Sequence, residues 1–195
     1  MHFPIFIELE NRHCLVVGGG KVALRKAEML REFGGEVTVV APVLNGQDAR
    51  SPMNGLASVL NGQDARWVRR VFEDRDVKGQ SLVVAATDDR ALNAHVAELC
   101  KAKGIPVNVV DDPQNCTFIF PAIFRKGPIV AAVSSGGASP VAAQLVRDKV
   151  ARLVTDEFAA AVASQGARRE ELKRKYPDPQ ERKQVCEEEL AKWKD

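Results

Sequence analysis

Apolar and polar positions along the chain fall into two alternating rhythms. Short, mostly apolar runs at His13–Val17 (HCLVV), Glu36–Ala41 (EVTVVA), Leu82–Ala86 (LVVAA) and Ile105–Val110 have the length and β-branched content of strands covered on both faces. Between them the period lengthens. In Lys21–Phe33 the residues Val22, Ala23, Ala27, Met29, Leu30 and Phe33 share one broad helical face, with Arg25, Glu28, Arg31 and Glu32 opposite. Gly34-Gly35 supplies the helix stop and Pro42 closes the strand that follows. Trp67–Phe72 reads as another strand. One Asp of Thr87-Asp88-Asp89 can cap a helix running to about Lys103, with Gly104 as its stop. Strands alternating with helices predict a parallel sheet of the α/β class with right-handed crossovers.

After Pro113 the pattern changes. Thr117–Ala122 and Pro128–Ser134 read as an antiparallel pair separated by Arg125-Lys126-Gly127. Ser139 and Pro140 are placed as N-cap and first residue of a helix through Val154. From Gly166 to Asp195 the chain is densely charged with both signs and mostly helical, interrupted at Pro177-Asp178-Pro179. An identical heptapeptide, LNGQDAR, occurs at Leu44–Arg50 and Leu60–Arg66. Two copies fall short of a repeat architecture, and they read as a local duplication or a sequence error within a long variable loop or poorly formed helix.

Composition narrows the function classes. At 195 residues there is room for one α/β unit and an appendage. A net charge of +2 argues against bulk binding of nucleic acid or an anionic membrane, though it allows a local basic pocket. The four cysteines never approach C-x-x-C spacing and the three histidines form no metal-ligand pair, so no stable metal centre and no disulfide framework is expected. The N-terminus MHFPIFIELE lacks the charge and apolar pattern of a secretory leader, and no apolar run approaches the ~18 residues of a membrane span. A cytoplasmic protein is the expectation.

The chemistry centres on Gly18-x-Gly20-x-x-Ala23, a dinucleotide fingerprint set between a strand and a helix. Gly18 permits the tight turn, Gly20 lets the backbone approach a pyrophosphate at the helix N-terminus, and Ala23 permits close helix–strand packing. The acid that usually holds the ribose is missing, because the second strand ends Val40-Ala41-Pro42-Val43. Either backbone and neutral groups hold the ribose, or NADP is accepted as well as NAD. Thr87-Asp88 and Asp111 fall at carboxyl ends of strands, the rim where α/β sheets bind ligands. Asp88 is a helix cap or a cofactor contact; Asp111 is a turn residue or a general base. Lys26, within the apolar stripe, either snorkels or meets a ligand. Ser134–Ser139 either presents hydroxyls and N–H groups to a carboxylate or forms only a turn and cap.

Together PIFIEL (Pro4–Leu9), VVGGGKVALRK (Val16–Lys26), VVAATDD (Val83–Asp89), NVVDDP (Asn108–Pro113), FIFPA (Phe118–Ala122) and VSSGGASP (Val133–Pro140) resemble the precorrin-2 dehydrogenase and sirohydrochlorin ferrochelatase family, the N-terminal module of siroheme synthase. The resemblance implies a Rossmann-type NAD-binding domain over 1–112, a small α+β dimerisation region over 113–147 and a C-terminal helical region over 148–195. It implies a homodimer that oxidises precorrin-2 to sirohydrochlorin with NAD, and Fe2+ as a second substrate if the chelatase activity is present. Asp111 matches the family's catalytic aspartate and would also be the transient metal contact. Gly18, Gly19, Gly20, Lys21, Val22, Ala41, Pro42, Val43, Thr87 and Asp88 are the implied cofactor contacts. Asn108, Ser134, Ser135, Gly136, Arg125 and Lys126 are the implied substrate contacts, with Arg147 and Lys149 as further cations. Ser135 aligns with a serine phosphorylated in some relatives. The chain stops before a methyltransferase domain, so a stand-alone enzyme fed by a separate uroporphyrinogen methyltransferase is expected. Two rival readings stay open: another NAD(P)-linked oxidoreductase, and an NAD-sensing regulatory domain without turnover.

Overall fold

The computed structural model describes residues 2–44 and 65–193. The chain divides into two compact units, His2–Phe120 and Pro121–Asp195. In the first, β1 (His13–Val17), β2 (Glu36–Val40), β3 (Ala65–Val68), β4 (Leu82–Ala85) and β5 (Val107–Val109) form one sheet in the order β3-β2-β1-β4-β5. Every neighbouring pair is parallel. Helix α1 (Lys21–Glu32) lies between β1 and β2 in sequence and α2 (Arg90–Ala102) between β4 and β5. The strand order reverses between β1 and β4, so the fold is the expected Rossmann-type α/β sheet with its ligand-binding switch point there.

The strands lack polar alternation because both faces are buried. Cys14, Val16, Val37, Val39 and Val84 pack against Ala23, Leu24, Ala27 and Leu30 of α1. Leu15, Val17, Val83, Ala85, Val107 and Val109 pack against Val96, Ala97 and Cys100 of α2. Each such side chain contributes roughly 1.5–3 kcal/mol of burial. Gly34 ends α1 at φ 84°, with its N–H on the Arg31 carbonyl and that of Gly35 on Leu30.

Two sequence expectations shift within this unit. Val22, assigned to the buried face of α1, is 40% exposed, and Leu24 is buried in its place. The stripe centres on Ala23, Ala27 and Leu30, and the first turn projects beyond the sheet. The strand expected at Trp67–Phe72 runs instead over Ala65–Val68. Beyond it the Arg70 guanidinium engages the Asp76 carboxylate at 2.8 and 2.6 Å, drawing the chain into a 3-10 turn, Asp74–Val77, whose Val77 is fully buried. Trp67 Nε1 donates to the Ala41 carbonyl at 2.9 Å and ties β3 to the exit of β2. Of the repeated heptapeptide only Leu44, Ala65 and Arg66 are described; the remainder lies outside the described residues.

Of Thr117–Ala122, read as a strand, only Ala122 lies in one, and Thr117 instead closes the open edge of β5. The Val107 N–H donates to Thr117 Oγ1 at 2.8 Å, and the Thr117 N–H donates to the Val107 carbonyl at 2.8 Å. The Val109 N–H donates to Cys116 Sγ at 3.2 Å. Side chains thus replace part of the missing neighbour strand. Phe118 and Phe120 then pack against the α1-side core.

In the second unit β6 (Ala122–Lys126) and β7 (Ile129–Val133) form an antiparallel hairpin. Arg125 and Lys126, placed in the turn by sequence, lie in β6 opposite Val130 and Ile129. The turn is Gly127-Pro128, with Gly127 at φ 54°, because a two-residue hairpin loop needs positive φ at its first position. Helix α3 (Pro140–Leu153) packs on both strands and starts at Ser139 as expected, the Ser139 hydroxyl accepting from the Ala142 N–H. Within the region expected to be helical over 148–195, α4 (Asp156–Ala167) is capped by Thr155. Helices α5 (Arg169–Lys175) and α6 (Pro179–Glu189) flank the expected break, with Asp178 capping α6. Among the described residues no helix is long and apolar enough to cross a membrane.

Thr117→Val keeps the shape at the β5 edge but removes the acceptor for the Val107 amide. It is expected to lower unfolding stability by about 1–3 kcal/mol, the cost of an orphaned donor, in urea titrations.

Candidate functional site

The turn after β1 is set by backbone proximity. A Cβ on Gly18, at φ 121°, would strike the Ala86 carbonyl, and one on Gly19 would strike the Val43 carbonyl. Gly20 is different, with open space at its Cβ position. Gly20 caps α1 without a side-chain hydrogen bond, and the first turn carries no acid. The leading N–H groups of α1 therefore stay available to an anion, and Gly20 gives it close approach.

Two cavities meet at this turn and share Gly20, Ala86, Thr87 and Asp88. One, of about 320 Å³, is walled by Gly18, Gly19, Ala41, Pro42, Val43, Val71, Phe72 and Leu92. Among its described residues the β2 side offers no carboxylate, as the sequence indicated. The other, of about 540 Å³, is bounded by Lys21, Val22, Arg90 and Val109–Asp112. A dinucleotide fits this arrangement: an apolar slot beyond the glycines, an anion-binding turn at the junction, and a polar chamber on the far side.

Asp88 and Asp89 divide their work. Asp89 caps α2, its carboxylate accepting from the Ala91 and Leu92 N–H groups at 2.9 and 3.1 Å. Asp88 is exposed and borders both cavities. Thr87 is fixed by a residue the sequence reading missed. Asn93, 5% exposed, accepts from the Thr87 N–H and hydroxyl at 3.2 and 2.7 Å and donates to its carbonyl at 2.9 Å. Its signal was present: a polar amide in an α2 stripe otherwise made by Val96, Ala97 and Cys100.

Asp111 adopts φ 58°, a left-handed conformation that asparagine and aspartate tolerate better than most residues. Cys116 braces it from both sides. The Cys116 thiol lies 3.2 Å from the Val109 carbonyl and 3.3 Å from the Asp112 carbonyl, with the Val109 N–H donating to its sulfur. Asn115 Nδ2 donates to the Asp112 carboxylate at 2.7 Å. Asn108 does not line the cavity. It is buried, and its amide donates to the Phe118 carbonyl at 3.0 Å.

The remaining sequence-derived candidates belong to the second unit. Ser134 Oγ accepts from the Gly136 N–H at 3.1 Å and Ser135 Oγ from the Ser139 N–H at 2.9 Å, across a turn with Gly136 at φ 66°. Lys126 pairs with Asp156 at 3.1 Å. Arg125 lies on β6, and Arg147 pairs with Asp148 at 2.7 Å. Among the described residues no three His, Cys, Asp or Glu side chains are grouped to hold a metal ion. Cys14 and Cys100 are buried in the two cores, and burial pushes both thiols up to about 11, away from reactivity.

A family model described as putative NAD(P)-binding matches residues 5–122. The chain is 43% identical over 185 residues to a siroheme synthase of Thioalkalivibrio sulfidiphilus, covering 95% of this chain and 36% of the relative. It is 40% identical to that of Methylococcus capsulatus, covering 95% and 38%. The chain thus spans little more than a third of the length of these relatives. Among solved structures, SirC, a precorrin-2 dehydrogenase, superposes with a TM-score of 0.62 at 23% identity, covering 98% of each chain. At that identity the likeness speaks for the fold.

Gly18 and Gly20 are expected to respond differently. Gly18→Ala strains both φ and the Ala86 contact and lowers stability by about 1–3 kcal/mol. Gly20→Ala leaves the thermal midpoint within a few degrees but weakens dinucleotide binding by about tenfold or more, read by calorimetric titration.

Proposed function

The chain belongs to the putative NAD(P)-binding family, and from that premise we propose that it catalyses the NAD-dependent dehydrogenation of precorrin-2 to sirohydrochlorin. One observation carries the reading: the cavity that begins at the Gly20 turn ends at Asp111, so a carboxylate stands across a single chamber from the anion-binding turn. The names of the relatives, siroheme synthase and SirC, supply the substrate class.

The reaction removes a hydride and a proton from the macrocycle and extends its conjugation. When bound, NAD accepts the hydride and leaves as NADH. The chain has two tasks, holding the dinucleotide and taking the proton. The α1 N-terminus and the Gly18–Gly20 turn hold the pyrophosphate, with Lys21, Val22, Ala41, Pro42, Val43, Thr87 and Asp88 around it. Asp111 is the general base, and its braced turn keeps the carboxylate fixed without cost at the moment of transfer. No described residue at the β2 exit would repel the 2′-phosphate of NADP, so charge at this exit does not set NAD against NADP.

The other assignments follow from the same reading. Residues 1–112 hold the cofactor, with 113–120 packed onto that same unit; the rest of 113–147 forms the dimer and 148–195 a helical cover. Ser134, Ser135, Gly136, Arg125 and Lys126 serve the substrate, whereas Asn108, buried and bonded to the Phe118 carbonyl, holds the segment beyond β5 in place. A homodimer is favoured by exposed apolar side chains in both units, Phe3, Ile5 and Phe6 in one and Val141, Leu145 and Leu153 in the other.

The test is absorbance at the NADH band with precorrin-2 and NAD. Asp111→Asn, which tolerates the same backbone, is expected to lower turnover by about 100-fold or more while NAD still binds. Undiminished turnover would remove Asp111 from the mechanism, and NAD binding without any turnover in the native chain would favour the sensor reading. Iron insertion at the same carboxylate is tested separately, with sirohydrochlorin and Fe2+ and no NAD. Metallated product there would establish the second activity, and its absence would confine the chain to dehydrogenation.

A further inference from the structure

Lys26 is the one charged side chain that the sequence places within the apolar stripe of α1, and its surroundings are unusual. Its Nζ stands 3.7 Å from the centre of the Phe120 ring, over the face. Phe118 meets Phe120 edge-on, with centroids 5.2 Å apart, and fixes that ring. The lysine is half-buried, and burial, then the neighbouring Arg25, lowers its pKa to about 8. Lysine ion pairs among the described residues join Lys126 to Asp156, Lys173 to Glu170 and Lys183 to Glu187; Lys26 joins none. Among the described residues the ammonium is thus partly stripped of water and compensated by an aromatic face, a weaker partner than a carboxylate.

The direction of the side chain shows where an anion would come from. Helical side chains lean toward the helix N-terminus and cover the preceding turn. Val22, one turn before Lys26 on the same face of α1, lines the 540 Å³ cavity, so the cavity mouth lies in the direction toward which the Lys26 side chain leans. That cavity presents Lys21 and Arg90 against Asp88, Asp111 and Asp112. A substrate carrying many carboxylates meets more acid than base on those walls, so part of its charge must be met from outside them.

We propose that Lys26, held against Phe120, binds a carboxylate of the substrate at the rim of the Asp111 cavity. The proposal rests on the reading of the substrate as a polycarboxylate tetrapyrrole. The ring keeps the ammonium in place before the substrate arrives, so little side-chain freedom is lost on binding.

The experiment compares the native chain with Lys26→Met and Lys26→Arg, reading both steady-state kinetics and the quenching of sirohydrochlorin fluorescence on binding. In Lys26→Met the KM for precorrin-2 and the Kd for sirohydrochlorin should each rise about tenfold, the loss of a charge-assisted contact, with kcat and the KM for NAD within about twofold. Lys26→Arg should recover most of the loss. If Lys26→Met fails to fold, Lys26→Gln provides the same reading. An unchanged Kd for sirohydrochlorin in the folded charge-removed variant overturns the role of Lys26 while leaving the dehydrogenase reading intact. A parallel loss of NAD affinity also overturns it, in favour of a purely structural cation–π contact. If the native chain neither oxidises precorrin-2 nor binds sirohydrochlorin, the dehydrogenase reading falls and the proposal with it.

Discussion

Three backbone segments converge where β1 ends: the chain leaving β1, the chain leaving β4 at Ala86, and the chain after β2 at Val43. They come so close that a methyl group on Gly18 or Gly19 has no room. The Gly18 N–H is bound to the Val40 carbonyl and the Ala86 N–H to Val17, so this convergence is an extension of the sheet itself. It places the first turn of α1 over the β1–β4 switch point. The anion-binding end of the helix, the two cavities and the exposure of Val22 all follow from it.

The opposite wall is made by a different device. β5 is an edge strand of three residues, too short to hold the turn at Asp111 by ladder hydrogen bonds alone. The returning segment supplies what the ladder lacks through Thr117 and Cys116, and Cys116 reaches beyond the strand to Asp112. A left-handed Asp111 is therefore held between two braced neighbours. The conformation costs backbone energy, of order 1 kcal/mol or more, which the surrounding bonds offset. A soft thiol suits this position, because one atom can take a donor and serve two carbonyls at loose distances.

The sheet was legible because its signals are local and periodic. β1, α1, β2, β4 and α2 were predicted within one or two residues, since apolar runs, capping acids and helix-ending glycines are properties of contiguous sequence. The misreadings are non-local. Nothing in Trp67–Phe72 announces that Arg70 will turn aside toward Asp76, and FIFPA reads as a strand because Phe118 and Phe120 do bury, though against the α1-side core rather than in a ladder. The β6–β7 turn is shorter than the break at Arg125-Lys126-Gly127 suggests, because cross-strand pairing with Val130 and Ile129 draws Arg125 and Lys126 into the ladder and leaves only Gly127-Pro128 as the loop. At the site, the glycine turn is readable from spacing and the position of Asp111 from the carboxyl end of its strand, whereas Asn93 and Cys116 act through hydrogen bonds to residues they are not adjacent to.

Two consecutive acids, Asp88 and Asp89, show how one position can be spared for ligand chemistry. A helix that begins at the rim of an α/β sheet leaves N–H groups needing acceptors. Had Asp88 capped α2, its carboxylate would be turned into the protein and the junction of the cavities would lose its acid. Because Asp89 takes both amides, Asp88 is left bordering the two chambers, and Asn93 fixes the preceding Thr87 from below. Under the proposed function the acids on these walls serve two needs that conflict: polar contacts and proton acceptance call for carboxylates, and a polycarboxylate substrate calls for cations. Placing a cation on the adjacent face of α1 relieves that conflict without neutralising Asp111, since an ammonium seated on an aromatic ring stays paired to the ring until an anion arrives.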